Sequence, residues 1–184
     1  MNGLSQRDLG LIASQIVEET KPHVDLSIQV SKEEYRRRWE TVQEAMEKKG
    51  YDLLYVCGSE LDRSDAAWLA GVFDPMIERY GVIVPLKGMP IVLAGSEGGH
   101  VIEESVEKSG AEIALLTEFQ ISDEEYRWAH FVSLDYVLSR IGAKGTAKVA
   151  IASSSKFIPY DQVVMFQGKF GADSVVFDPL LLQL

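Results

Sequence analysis

The chain has 184 residues, of which 46% are hydrophobic and 25% are charged, and its formal net charge is −10. A chain of this size buries about 70% of the surface that its unfolded form exposes, so a folded domain is expected and a disordered polypeptide is excluded. The acidic charge repels phosphate backbones and anionic lipids, so we expect neither nucleic acid nor a membrane as a partner.

The sequence also favours a cytoplasmic protein. Cys57 is the single cysteine, so no disulfide can form within the chain, which is typical of a reducing compartment. The first residues lack the basic and apolar regions of a signal peptide. No apolar run approaches the roughly 20 residues that a transmembrane helix needs.

Residues 1–30 are predicted to form a helical arm and a linker that precede a domain over residues 31–184. Ser5 and Asp8 have the spacing of a capping box, and apolar residues then recur at helical intervals. Pro22 should end this helix near Thr20. We expect the arm to lie on the main body or on a partner subunit.

The second predicted helix begins at Ser31, which forms a capping box with Glu34, and it ends at Gly50. One apolar stripe runs along it. This stripe consists of Tyr35, Trp39, Val42 and Met46.

Short apolar strands and further helices alternate along the rest of the chain. The predicted strands are DLLYVC, YGVIVP, PIVLAG, AEIALL, AKVAIAS and SVVFD, and the predicted helices are HVIEESVEKSG, DEEYRWAHFVSLDYVLSRIG and FIPYDQVVMFQGKFG. A short loop with a glycine joins YGVIVP to PIVLAG, which predicts a hairpin. The alternation predicts an α/β fold, with a mixed β-sheet covered by helices on both faces.

Two places in the sequence have residue types or a spacing that a ligand site would use. His100 with Glu103 and Glu104 is the nearest approach to a metal-ligand spacing, but it supplies only half a site, and a solvated helix start is favoured. GSEGG at 95–99 lies between a strand and a helix, where a phosphate can bind. It lacks the dinucleotide and P-loop patterns, and Glu97 would repel a phosphate, so a flexible turn is favoured.

Nucleophiles are no better supported. Ser153–Ser155 lacks the elbow pattern of a serine hydrolase, and Cys57 ends an apolar strand, where an inert buried thiol is usual. The residues by themselves therefore predict no catalytic constellation in this chain.

Four motifs follow one another along the chain. An arginine-started helix leads from Arg38 to Gly-Tyr-Asp-Leu-Leu at 50–54, and DAAWLAGV follows at 65–72. A Gly-Met-Pro turn comes at 88–90, and Asp-Pro-Leu-Leu comes at 178–181. In this order, the motifs resemble the N-terminal domain of the creatinase/prolidase/aminopeptidase P family. Asp, Trp, Ala and Val replace the family's Asn, Tyr, Ser/Thr and aromatic residue in the second motif.

The resemblance implies a ribonuclease-H-like α/β domain without metal ligands or a cofactor of its own. In the family, the chemistry lies in a following pita-bread domain, where two Asp, one His and two Glu usually bind two divalent ions. The implied parent is a Xaa-Pro aminopeptidase, prolidase or related C–N hydrolase that uses Mn²⁺, Co²⁺ or Zn²⁺. The expected partners are the missing C-terminal pita-bread catalytic domain and a second copy in a homodimer, and the isolated chain is expected to be inactive.

The resemblance also implies a set of site residues. The loop after the tryptophan motif faces the catalytic domain in the family, often that of the neighbouring subunit. Trp68, Asp74, Glu78, Arg79 and His100 are therefore candidates for a substrate rim or an interface. A guanidinium recognises carboxylates bidentately, so Arg79 is expected to pair with a substrate carboxylate. The simpler interpretation is that Trp68 packs in the core and Arg79 pairs with Glu78 or solvent.

Two other functions stay open at this point. The acidic charge suits a stand-alone interaction module for a basic partner, and relatives of the pita-bread fold include histone-chaperone domains. A small-metabolite-binding α/β domain that uses the GSEGG turn is the third possibility.

Overall fold

A mixed six-stranded sheet organises the computed structural model, which describes residues 5–21, 27–72, 78–121 and 126–183. The strands are β1 (Leu53–Gly58), β2 (Tyr80–Pro85), β3 (Ile91–Ala94), β4 (Glu112–Leu115), β5 (Val149–Ile151) and β6 (Val175–Phe177). The helices are α1 (Gln6–Thr20), α2 (Lys32–Lys49), α3 (Ser64–Ala70), α4 (Ser96–Ser109), α5 (Leu134–Arg140) and α6 (Tyr160–Phe170). Short 3₁₀ turns occupy Thr117–Phe119 and Ala172–Ser174.

The strands lie in the order β4-β3-β2-β1-β5-β6. β2 pairs antiparallel with β3, as the hairpin pattern predicted, and it also pairs antiparallel with β1. β1 pairs parallel with β5, β5 with β6, and β3 with β4. Each parallel pair needs a crossover, and α4 and α6 supply the crossovers from β3 to β4 and from β5 to β6. The predicted mixed sheet is confirmed.

Helices cover both faces of this sheet. One buried apolar cluster packs α2, α3 and α4 on one face, and a second packs α5 and α6 on the other. β1, β2 and β3 alternate their side chains between the two clusters, because neighbouring residues of a strand point to opposite faces. This explains why these strands appear in the sequence as continuous apolar runs.

The first two helices begin and end as predicted. The Ser5 hydroxyl accepts from the Asp8 N–H, and the Asp8 carboxylate accepts from the Ser5 N–H, so the capping box of α1 is confirmed. None of the α1 residues is buried. α2 buries the predicted stripe and ends at Gly50, whose φ of 73° lies in the left-handed region that favours glycine. No helix among the described residues is long and apolar enough to cross a membrane.

The long helix predicted from Asp123 onward is wrong over most of its described length. Residues 123–125 lie outside the described residues, and helix α5 begins only at Leu134. The Ser133 hydroxyl caps α5 by accepting from the Tyr136 N–H at 3.2 Å. Just before it, the Val132 N–H donates to the Leu115 carbonyl at 2.8 Å, so this backbone extends the edge of the sheet instead of forming a helix.

The Asp-Pro-Leu-Leu motif ties the end of the described chain to the body. Asp178 accepts hydrogen bonds from Lys49 Nζ at 2.6 Å and from the Tyr51 hydroxyl at 3.2 Å. Burial raises the pKa of Tyr51, and the negative charge of Asp178 adds to the shift. Leu181 is buried in the cluster with α2, whereas Leu180 is exposed. The motif therefore works as an anchor for the C-terminal segment.

We expect Asp178→Ala to lower the free energy of unfolding by about 2 kcal/mol. The substitution removes a largely buried carboxylate together with its ion pair to Lys49 and its hydrogen bond from Tyr51. Urea unfolding followed by tryptophan fluorescence measures this change. Glu18→Ala, which breaks an exposed ion pair with Lys21, is the control and should change stability by less than about 0.5 kcal/mol. Equal effects of the two variants would contradict the anchoring role.

Candidate functional site

A cavity of about 510 Å³ lies at the end of the sheet where β1 ends and β2 begins. Its walls come from the segments that follow β1, β4 and β5 and from the segment that precedes β2. All four segments meet at the same end of the sheet because β2 runs antiparallel to β1 and β3, and β4 runs parallel to β3. Glu78 and Arg79 both line this cavity.

Glu78 is buried and caps helix α4. Only 2% of the residue is exposed. Its Oε2 accepts from the Gly98 N–H at 2.7 Å, and its Oε1 accepts from the Ile121 N–H at 3.3 Å. A carboxylate in this position stabilises the positive end of the helix dipole and satisfies one of the free N–H groups.

The glycines of GSEGG make room for this carboxylate. A Cβ atom on Gly95 would lie 2.6 Å from Glu78 Oε1, and one on Gly98 would lie 3.2 Å from Oε2. The helix begins at Ser96, so the prediction of a turn before a helix at His100 is wrong for residues 96–99. Because the protein's own carboxylate takes the position of an anion here, the structure disfavours a phosphate at this helix end.

Arg79 has a different environment from its neighbour. Its side chain is exposed, and it makes no hydrogen bond or ion pair with another described residue. The pairing of Arg79 with Glu78 that the simpler interpretation anticipated is not found among the described contacts. The guanidinium is therefore a candidate for binding a carboxylate from outside the chain.

Trp68 lies on α3 and does not line the cavity. The Arg38 guanidinium sits 5.3 Å from the Trp68 ring centroid and donates from Nη1 to the Trp68 carbonyl at 2.9 Å. Arg38 also donates to Glu34 at 2.9 Å, so the indole packs against α2 through a cation–π contact. Asp74 lies outside the described residues.

His100 lies in a second, separate cavity of about 320 Å³. This cavity is also lined by Glu103, Trp128 and His130, and the His100 and Trp128 rings are 6.1 Å apart between centroids. The prediction that His130 lies inside a helix is wrong, since it precedes α5. Within the described ranges, no three or more His, Cys, Asp or Glu side chains are grouped to hold a metal ion.

Several lining residues were missed by sequence reasoning. Gln162 is buried and accepts from the Tyr55 hydroxyl at 2.7 Å, while Glu60, Glu118 and Asp161 bring carboxylates to the cavity. Their positions along the sequence could have indicated Glu60, Glu118 and Asp161. Each of these three acidic residues follows a predicted strand, and ligands of α/β sheets bind at the carboxyl ends of strands.

Cys57 is a buried free cysteine near the end of β1. Burial raises the pKa of the Cys57 thiol to about 12, against the opposing effect of Arg79 and with smaller contributions from Asp62 and Asp161. The thiol therefore stays protonated near neutral pH and is a poor nucleophile. The expectation of a buried, unreactive cysteine agrees with this environment.

Comparisons with known proteins bear on the fold. No protein-family model matches the chain, and no curated protein matches it. Among solved structures, dipeptidase PepE from Mycobacterium ulcerans superposes with a TM-score of 0.57 and 17% identity, over 85% of this chain and 37% of that protein. The Xaa-Pro dipeptidase from Bacillus anthracis gives 0.51 and 13%, over 80% and 34%.

A third solved structure is matched over nearly its whole length. The aminopeptidase P from Streptococcus thermophilus gives a TM-score of 0.50 at 13% identity, over 81% of this chain and 95% of that one. The chain thus spans about a third of the length of the two dipeptidases that it matches. With the mixed sheet and its two helical layers, these likenesses show that the chain has the fold of the creatinase/prolidase N-terminal domain.

Proposed function

We propose that this chain is the non-catalytic domain of a Xaa-Pro peptidase or related C–N hydrolase, and that it shapes substrate access to a catalytic domain. The observation that carries this proposal is the likeness to dipeptidase PepE, which covers 85% of this chain but 37% of that protein. In this proposal the divalent ions, Mn²⁺, Co²⁺ or Zn²⁺, belong to a pita-bread catalytic domain, and the assembly is a cytoplasmic homodimer.

Arg79 is the residue of this chain that we place nearest the substrate. It is exposed, lines the 510 Å³ cavity and has no ion-pair partner among the described residues. A planar guanidinium binds a carboxylate through two parallel hydrogen bonds, which gives orientation as well as affinity. A peptide substrate with a free C-terminal carboxylate fits this role. Glu78 supports it indirectly, because its buried contacts with Gly98 and Ile121 fix the start of the segment that carries Arg79.

The test is to purify the protein from its source through an affinity tag placed at the genomic locus, and to assay hydrolysis of Xaa-Pro dipeptides and tripeptides. We expect the tagged material to contain a chelator-sensitive hydrolase, either as one polypeptide or as a complex. The 184-residue chain alone should release no proline with added Mn²⁺, Co²⁺ or Zn²⁺. Turnover by the chain alone, or tagged material without such activity, would overturn the proposal.

The role of Arg79 has a separate readout in the same preparation. Arg79→Ala should raise KM at least tenfold for substrates with a free carboxylate, and should change KM little for the corresponding amides, because the lost contact is ground-state binding. Arg140→Ala is the matched control, since Arg140 pairs with Glu112 away from the cavity. Identical KM changes for acids and amides would remove Arg79 from the substrate rim.

A further inference from the structure

The 510 Å³ cavity coincides with a topological switch point of the sheet. The parallel neighbours β1 and β5 send the chain to opposite faces, because β1 leads to α3 on one face and β5 leads to α6 on the other. The two connections diverge and leave a crevice between them, where ligands of α/β proteins bind. Residues after β1 and at the start of α6 line this cavity, so it occupies that crevice. Its volume lies within the range typical of small-molecule sites.

Negative groups outnumber positive groups in the lining of this cavity. Arg79 is the one described cation of the lining, and three exposed carboxylates face it from other segments. These carboxylates belong to Glu60, Glu118 and Asp161. Glu78, whose two oxygens accept backbone hydrogen bonds, adds a buried carboxylate to the same lining. A complementary ligand therefore carries one negative group and at least two positive groups.

These charged groups are not neutralised within the described chain. Arg79, Glu60 and Asp161 form no ion pair or hydrogen bond with another described residue, and the Glu118 carboxylate accepts only from the adjacent Thr117 hydroxyl. Arg79 and Asp161 nevertheless line the same cavity. The cavity is thus lined by an arginine and by carboxylates that form no ion pair with it.

The remaining walls supply a donor and an apolar surface. The Gln162 carboxamide oxygen is taken by Tyr55, which leaves its amide N–H groups as donors on a buried side chain that lines the cavity. Phe119 and Phe157 line it as well, and aromatic rings suit both a methylene chain and a cation.

We propose that this cavity binds a free basic α-amino acid, such as L-arginine or L-lysine. Arg79 and Gln162 hold the α-carboxylate, and the carboxylates of Glu60, Glu118 and Asp161 hold the two cationic groups. The alkyl chain lies against the phenylalanines. The inference deepens the proposed function by giving a ligand class to the site of Arg79, but it concerns binding by this chain itself and needs no catalytic domain.

Isothermal titration calorimetry of the 184-residue chain with L-arginine and L-lysine tests the inference. Citrulline and norleucine lack the side-chain charge, and agmatine and cadaverine lack the carboxylate. We expect each of these four probes to bind at least tenfold more weakly than its parent amino acid. Absence of arginine and lysine binding at millimolar concentration, or equal affinity for citrulline and arginine, would overturn the inference.

Single-residue variants test separately the contacts to the carboxylate and to the cationic groups of the ligand. Arg79→Ala should weaken arginine binding at least tenfold without weakening agmatine binding, whereas Asp161→Asn should weaken the binding of both. Glu103→Gln, in the separate cavity that contains His100, is the control and should change neither. An Arg79→Ala chain that binds arginine normally would contradict the assignment. Because these are binding measurements on the isolated chain, their failure would leave the hydrolase assay of the tagged protein as an independent test.

Discussion

Replacing Glu78 with alanine is expected to lower the free energy of unfolding by about 3 kcal/mol, because two backbone N–H groups lose a charged acceptor. Those groups belong to Gly98 and Ile121 and lie 2.7 and 3.3 Å from the carboxylate oxygens. The substitution also leaves a void beside Gly95, which has no side chain to fill it. Urea denaturation of the variant and the wild-type chain measures the loss.

Two further variants define what the carboxylate does. Glu78→Gln keeps one acceptor oxygen but removes the charge, so its loss should be about half that of Glu78→Ala. Glu103→Ala lies on the exposed side of the same helix and should change stability by less than about 0.5 kcal/mol. If Glu78→Ala were no more destabilising than Glu103→Ala, the capping role would be wrong.

The Glu78→Ala variant also tests whether the N-terminus of α4 can bind an anion once the Glu78 carboxylate is removed. With the carboxylate removed, the first N–H groups of α4 have no acceptor from Glu78, and such groups bind anions. We therefore expect sulfate to raise the melting temperature of Glu78→Ala more than that of the wild-type chain at the same concentration. This connects the glycine-rich GSEGG stretch to its structural role, which is to admit a side chain from a distant part of the sequence.

Local signals explain which parts of the fold were predictable. The helix from Lys32 to Lys49 has a cap, an apolar stripe and a terminal glycine, and all of them lie within twenty residues of one another. The strands are short apolar runs bounded by turn residues. The segment before Leu134 has aromatic and apolar residues at helical spacing, which predicts a helix, but its backbone pairs with Leu115. Tertiary pairing overrode the local pattern there.

The candidate site was predictable only in part, for a physical reason. Glu78 and Arg79 adjoin a strand, and the resemblance drew attention to them. Their surroundings come from segments about 20 to 80 residues away, which the strand order of the sheet brings to one end. Trp68 shows the converse, since its motif is prominent in the sequence, yet its indole packs against Arg38 and not in the cavity. A pattern along the chain does not specify which side chains meet across a sheet.

The central antiparallel strand pair, β1 and β2, provides the second large effect, because two glycines there make space for two buried tyrosine rings. Gly58 in β1 faces the Tyr80 ring, and Gly81 in β2 faces the Tyr55 ring on the opposite face of the sheet. Tyr55 has no room to move, since its ring packs 4.6 Å from Phe166 between centroids and its hydroxyl is bound to Gln162. A side chain at Gly81 would therefore meet a ring that is fixed at both ends.

Gly81→Ala is expected to lower the free energy of unfolding by about 3 kcal/mol, at the upper end of the usual cost of overpacking a core. The added Cβ would lie 2.7 Å from Tyr55 Cζ, and real side chains do not approach so closely. Since the clash pushes Tyr55 away from Gln162, the variant should also weaken arginine binding if Gln162 helps to hold the ligand.

The matched control is Gly168→Ala in helix α6, where an added Cβ has no neighbour within 4 Å. Alanine is a better helix former than glycine by about 1 kcal/mol, so this variant should be slightly more stable than the wild-type chain. Chemical denaturation of the two variants side by side distinguishes a specific clash from a general effect of alanine. If Gly81→Ala kept wild-type stability, the Tyr55 ring would have to move aside. The conclusion that Tyr55 is held in place between Phe166 and Gln162 would then be wrong.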